Sequence, residues 1–162
     1  MIAIEPAAGV DPEVLRRHVI EAWHAEAVVA HGERIFPARL PGFVALREGQ
    51  IVGHATYRGE RDRCELTSIE ASPRCAGIGT TLLEAVVSAA RERGYGSLWL
   101  TTTNDNLDAI RFYQRRGFAF CALRRGAVDL ARETLKPELP RIGSYGIPMR
   151  DELDLELVLG SE

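Results

Sequence analysis

A chain of 162 residues, 46% apolar and 27% charged, is long enough to bury a core of its own and polar enough to fold in water. Its 20 basic and 23 acidic side chains leave a net charge of −3, so no basic excess exists to neutralise phosphates, and nucleic acid is excluded as the main partner. No apolar run approaches the roughly 20 residues that cross a bilayer, so no membrane partner is expected.

The opening Met1-Ile2-Ala3-Ile4-Glu5-Pro6 lacks the basic flank and apolar stretch of a signal peptide. Cys64, Cys75 and Cys121 are odd in number and far apart, which suits neither a disulfide framework nor a zinc site, and no metal is expected. A reducing cytoplasm is the natural compartment. Pro and Gly are scattered as turn punctuation, so residues 1–162 read as a single domain.

In chain order, Ile2 to Glu5 predicts a short strand. Asp11-Pro12-Glu13 predicts a helix start: an Asp cap, a proline at the first position and an acid in the first turn. Leu15, Val19, Ala22 and Trp23 give that helix an apolar face, which fades near Val28-Val29-Ala30 before Gly32. Phe43 to Arg47 and Ile51 to Arg58, joined by Glu48-Gly49-Gln50, predict an antiparallel hairpin, and Arg63 to Ala71 a third strand. Gly77 to Arg93 predicts a helix, with Ile78, Leu82, Val86 and Ala89 at three- and four-residue steps and Gly94 beyond its end. Ser97 to Thr102 is apolar on both faces, as an interior strand is. A helix from Asn106 to Arg116, a strand from Phe118 to Arg124, a short helix from Val128 to Leu135 and an alternating strand from Leu153 to Leu159 complete a mixed sheet with helices on its faces.

Chemistry concentrates where the third strand runs into the long helix, at Ile69-Glu70-Ala71-Ser72-Pro73-Arg74-Cys75-Ala76-Gly77-Ile78-Gly79-Thr80. Backbone N–H groups at a helix start point outward and carry partial positive charge, and glycines let a bulky anion approach them. A phosphate or pyrophosphate fits such a place. The Walker loop is excluded because no Gly-Lys-Ser/Thr occurs, and the dinucleotide fingerprint because Leu82 stands where its third glycine belongs. A second pattern lies downstream: Asn106-x-x-Ala109-x-x-Phe112-Tyr113-x-x-x-Gly117-Phe118.

Together the two segments resemble the GNAT superfamily of acetyl-CoA-dependent N-acetyltransferases. Arg74-x-x-Gly77-x-Gly79 is similar to that family's pyrophosphate loop, and the Asn106 pattern to its later cofactor and catalytic helix; the match runs from Phe43 to about Phe120. The resemblance implies the GNAT α/β fold, a mixed and mostly antiparallel sheet of six or seven strands flanked by helices. It implies acetyl-CoA as cosubstrate and an amine acceptor, small molecule or peptide. Backbone groups of Ile69, Glu70 and Ala71 would hold the acetyl carbonyl and pantetheine arm. Amides of Arg74, Cys75, Ala76, Gly77, Ile78, Gly79 and Thr80 would cradle the pyrophosphate, and Asn106 would contact the pantetheine. Tyr113 would protonate the departing thiolate. Cys75 and Ala76 depart from the Gly and basic residue common in the family's loop.

Direct attack by an amine requires that the amine lose a proton. Glu65 is the first choice of base, on Ile69's face unless a bulge intervenes; Glu70 is second, and water is an alternative. Glu65 reads equally as an ion-paired sheet carboxylate. His18 and His24 read as surface or packing residues, His31 as isolated, and His54 as core or, less simply, as acceptor lining. Trp23 and Trp99 read as core. The segment from Arg141 to Arg150 has the length of a substrate-binding loop, and Asp151, Glu152 and Asp154 read as a solvated acidic edge or an attractor of cations. The other readings are a GNAT-fold sensor that holds acyl-CoA without catalysis, and a pure interaction domain with no cofactor. Monomer and homodimer are both compatible with the sequence.

Overall fold

The computed structural model describes residues 1–73 and 76–160. Strand β1 (Ile2–Pro6) leads through a short 3-10 turn to α1 (Pro12–Trp23). The Asp11 carboxylate accepts the Glu13 N–H at 2.8 Å, and Pro12 occupies the first turn, as the sequence predicts. The helix stops where His24 adopts a left-handed conformation (φ 58°). The next residues do not fade out as helix: β2 (Val28–Ala30) and β3 (Glu33–Ile35) form a two-stranded hairpin. Its tight turn places both His31 (φ 41°) and Gly32 (φ 77°) at positive φ, the geometry that suits a two-residue hairpin loop.

Then come β4 (Gly42–Arg47), β5 (Gln50–Glu60), β6 (Arg63–Ala71), α2 (Ile78–Glu92), β7 (Ser97–Thr103), α3 (Leu107–Gln114), β8 (Ala119–Arg124), α4 (Ala127–Thr134) and β9 (Glu152–Val158). The main sheet has seven strands in the order β1-β4-β5-β6-β7-β9-β8, so β7, apolar on both faces, is interior as expected. The described residues form two compact units.

The first unit holds Met1–Val28, Phe36–Leu98 and the chain end from Leu159. Its strands β1, β4, β5 and β6 pair antiparallel; β4–β5 and β5–β6 are sequence-local hairpins, while β1 joins β4 across α1 and the β2–β3 hairpin. One face carries Val44, His54, Thr56 and Ser68 and is covered by α1: Leu15 and Val19 pack with Ala7 and Val44, flanked by Trp23, Leu46 and Ile51. The other face receives α2, whose buried side is Ile78, Leu82, Leu83, Val86, Ala89 and Ala90. Gly53 lets that helix approach, since a Cβ there would sit 3.0 Å from Leu82 and 3.1 Å from Ile78.

The second unit holds Val29–Ile35 and Trp99–Val158. Here β8 pairs antiparallel with β9. The acidic side of β9 is a correction to the sequence reading: Glu152 and Asp154 are buried, not solvated. Arg124 binds Glu152 at 3.1 Å and both oxygens of Asp154 at 2.6 and 2.7 Å, and Thr101 donates to Asp154 at 2.7 Å. Burial pushes the Asp154 carboxyl up, but the Arg124 and Thr101 hydrogen bonds with the Arg124 charge outweigh it and hold the group below the ordinary carboxylate value. The Glu152 carboxylate also accepts the His31 N–H, which ties the β2–β3 hairpin to β9. His31 packs its ring on Trp99 at 5.4 Å, so it is not isolated once the chain folds.

Candidate active site

The bulge in β6 decides what its residues face. Tyr57 opposes Leu66 and Thr56 opposes Ser68, so Thr67 is the extra residue. Across from β5, Glu65, Ser68 and Glu70 therefore share the face of Arg58, Thr56 and His54, while Ile69 shares the face of Ala55. Glu65 and Ile69, four apart, point to opposite faces, and the condition attached to the sequence expectation is met in the unfavourable sense. Glu65 is buried (4% exposed) and paired with Arg58 at 3.0 Å.

The same register orients the main chain of the strand end. The Ser72 N–H donates to the Val52 carbonyl at 2.8 Å. In an antiparallel ladder alternate residues point to alternate neighbours. The peptide groups of Glu70 thus turn toward β5, and those of Ile69 and Ala71 turn away from it. Of the three residues expected to hold an acetyl group and a pantetheine arm, Ile69 and Ala71 offer their N–H and C=O on the side away from β5.

Beyond the turn, α2 begins at Gly77, which caps it at φ 80° with no side-chain hydrogen bond. A Cβ at Gly77 would meet nothing within 4 Å, so the approach to this helix start is open. The Thr81 N–H returns to the Gly77 carbonyl at 3.1 Å, and the Ile78 and Gly79 amides ahead of it have no acceptor inside the helix. Two outward donors, an open glycine and fifteen aligned peptide dipoles fit the diphosphate of a coenzyme. Ala76 and Thr80 flank this start; Arg74 and Cys75 lie outside the described residues.

In the second unit, Asn106 is the N-cap of α3, and its side-chain oxygen accepts the Ala109 N–H at 3.3 Å. That leaves its amide NH2 as donor. Tyr113, two turns on, is buried (5% exposed) between Phe112 and Phe118, with ring centroids 5.2 and 5.3 Å away. Burial pushes its phenol well above the ordinary value, so the group keeps its proton at neutral pH.

Sequence reasoning missed the residues that hold the segment before β9. Asn104 receives the Arg150 and Asp151 N–H groups at 2.9 Å and donates to the Pro148 carbonyl at 2.9 Å. Asp105, buried, accepts the Ser144 N–H at 2.8 Å. Arg132, also buried, reaches the carbonyls of Leu139, Pro140 and Met149. Asn and Asp beside a helix start read as cap candidates, and nothing local distinguishes a cap from a clamp on a loop forty residues later.

The sequence model described as the acetyltransferase (GNAT) family matches residues 11–118. The chain belongs to the GNAT acetyltransferases. It is 45% identical over 115 residues to the Bacillus subtilis (strain 168) protein YxbD, covering 70% of this chain and 72% of that one. It is 44% identical over 107 residues to streptothricin acetyltransferase of Streptomyces lavendulae, covering 60% and 57% respectively. A GNAT acetyltransferase of Elizabethkingia anophelis with acetyl-CoA bound superposes with a TM-score of 0.73 over 98% of both chains at 19% identity, a likeness of fold. The seven-stranded, mostly antiparallel sheet flanked by four helices is the GNAT fold that the sequence motifs imply.

Proposed function

We propose that this GNAT protein moves an acetyl group from acetyl-CoA to a primary amine by direct attack within a ternary complex. The observation that carries the reading is the conjunction, within one unit, of the open α2 start and the strand end whose Ile69 and Ala71 peptide groups turn away from β5. Ile78 and Gly79 amides, with Thr80 and the loop before them, bind the diphosphate. The Ile69 or Ala71 N–H receives the thioester carbonyl and stabilises the oxyanion that forms as the amine adds. Asn106 donates to the pantetheine arm. Tyr113 protonates the thiolate; its support is its place in the Asn106 pattern and a phenol that burial keeps protonated.

The acceptor is a small cationic amine, and streptothricin is the first to test, given the 44% identity to an enzyme named for it. The proton of the attacking amine leaves through Glu65 or through a chain of groups that ends in solvent. The chain as a whole acts as a single catalytic domain, in a reducing cytoplasm, where Cys64 and Cys121 stay free thiols. The test has two steps. Calorimetry with acetyl-CoA should give one site per chain, and the absence of binding defeats the reading. Thiol release is then followed with streptothricin, spermidine, lysine amide and an alanine-terminated peptide; coenzyme binding with no release from any amine would mark a sensor.

A further inference from the structure

Under α1, the first unit contains a chain of polar groups that the roles above leave unused. Thr67 Oγ lies 2.8 Å from Thr56 Oγ, which lies 2.8 Å from Ser68 Oγ, which lies 3.0 Å from His54 Nε2. Thr56 and His54 are fully buried, Ser68 nearly so, and Thr67 at the bulge is half-buried. The His54 ring meets the His18 ring of α1 edge-on, centroids 5.1 Å apart. The far nitrogen of His54, Nδ1, and Nε2 of His18 are both buried and have no hydrogen-bond partner among the described residues. Two buried imidazole nitrogens without a partner, on rings in edge contact, are each costly to leave unsatisfied, which makes chance packing a poor account.

We propose that Thr67, Thr56, Ser68, His54 and His18 form a proton relay, which leads the proton of the acceptor amine from the β6 bulge, two residues before Ile69, out through α1. The inference rests on the acetyltransferase reading and names how its amine is activated. Each hydroxyl both donates and accepts, and each imidazole accepts on one nitrogen while donating from the other. Before attack, one N–H proton of the acceptor ammonium passes to Thr67 Oγ. The Thr67 proton moves to Thr56, that of Thr56 to Ser68, and that of Ser68 to His54 Nε2. A water between the two rings, itself part of the proposal, would carry the Nδ1 proton of His54 to His18 Nε2, and His18 gives its Nδ1 proton to solvent. Every relay group ends with the number of protons it began with; the pair freed on nitrogen forms the new N–C bond, the C–S pair leaves with sulfur, and the second N–H proton, lost from the adduct, replaces the one that Tyr113 gives to the thiolate.

The groups around His54 suit passage rather than storage. His18 faces it from α1, Glu70 is its cross-strand partner on β6, and Val44 its uncharged partner on β4. The Arg58–Glu65 pair lies farther along the same face. Burial, with His18 beside it, pushes His54 down to about 3, so it passes a proton on instead of holding one.

Thr56→Val cuts the chain with a side chain of the same shape, and Thr56→Ser restores the hydroxyl. With the amine of the panel that the unmodified protein turns over best, kcat is measured from pH 6.5 to 10. The valine variant should lose about 100-fold at pH 7, the lower end of general-base effects. The deficit should shrink toward pH 10, where about 30% of a lysine-like amine is already neutral. The serine variant should stay within about twofold throughout, and calorimetric affinity for acetyl-CoA should be unchanged in both. A loss equal at all pH values, or no loss, overturns the relay, as does a pH-dependent loss confined to Glu65→Gln. If the valine variant fails to fold, Ser68→Ala cuts the next link and is read the same way. If the unmodified protein binds acetyl-CoA but turns over no amine, the acetyltransferase reading fails first and takes the relay with it; turnover with an indifferent Thr56→Val defeats the relay alone.

Discussion

His54 shows how far burial sets the chemistry of a side chain. In the unfolded chain its imidazole titrates near 6.5, and in the folded protein burial and then His18 push it to about 3. The folded state therefore resists the proton that the unfolded state takes up. Stability is full above pH 6.5 and falls as pH drops from there toward 3, by about 5 kcal/mol if each tenfold is worth about 1.4 kcal/mol. Burial also lowers His18, which adds to the same trend. Urea unfolding midpoints between pH 7.5 and 4 should show this slope, and His54→Gln, which removes the largest contributor, should flatten it. At Tyr113 burial acts in the opposite sense, raising a phenol that the proposed reaction needs protonated until the thiolate leaves. Tyr113→Phe should lower kcat by about 100-fold with little change in calorimetric affinity for acetyl-CoA; unchanged turnover on a good acceptor would remove it as the acid. Cys64, which burial pushes up to about 11, is by the same logic inert at neutral pH.

At the scale of elements, two short sequences carry most of the proposed site. The β6 bulge turns one strand into two functions: above it Ile69 and Ala71 keep their peptide groups clear of β5, and below it Glu65 is delivered to the α1 face beside Arg58. The α2 start depends on Gly77, held at φ 80°. Gly77→Ala has room for its Cβ but forces a left-handed residue, so it should cost about 1–2 kcal/mol of stability. It should also weaken acetyl-CoA binding, because the Ile78 and Gly79 amides lose their setting; a thermal melt and a calorimetric titration read the two effects separately. Most element boundaries were legible beforehand, since Asp11-Pro12, Asn106 and the glycines at 77, 94 and 117 act through neighbours within one turn. The β2–β3 hairpin was not. Its strands are three residues each, too short for alternation to show, and its ties are the His31–Glu152 and His31–Trp99 contacts with distant parts of the chain.

For the whole molecule, the acetyltransferase reading makes one prediction independent of any acceptor. A ligand that binds only the folded state at about a hundred times its Kd adds about 2.7 kcal/mol of stability. For a chain of this size that corresponds to a rise of about 5–10 °C in Tm, which differential scanning fluorimetry with acetyl-CoA measures directly; an unmoved Tm at saturating coenzyme would contradict it. The amino-acid sequence by itself determined every strand and helix but the β2–β3 hairpin, the capped helix starts and the glycine at the start of α2, because each is decided by residues a few positions apart. Tertiary structure alone decided which side chains look at one another. A single unopposed residue at Thr67 reversed the facing of Glu65, burial beneath α1 joined His18 to His54, and Arg124 turned an acidic edge into a buried ion pair. Facing and burial depend on register between strands and on what covers them, and those contacts form between residues that the sequence keeps far apart.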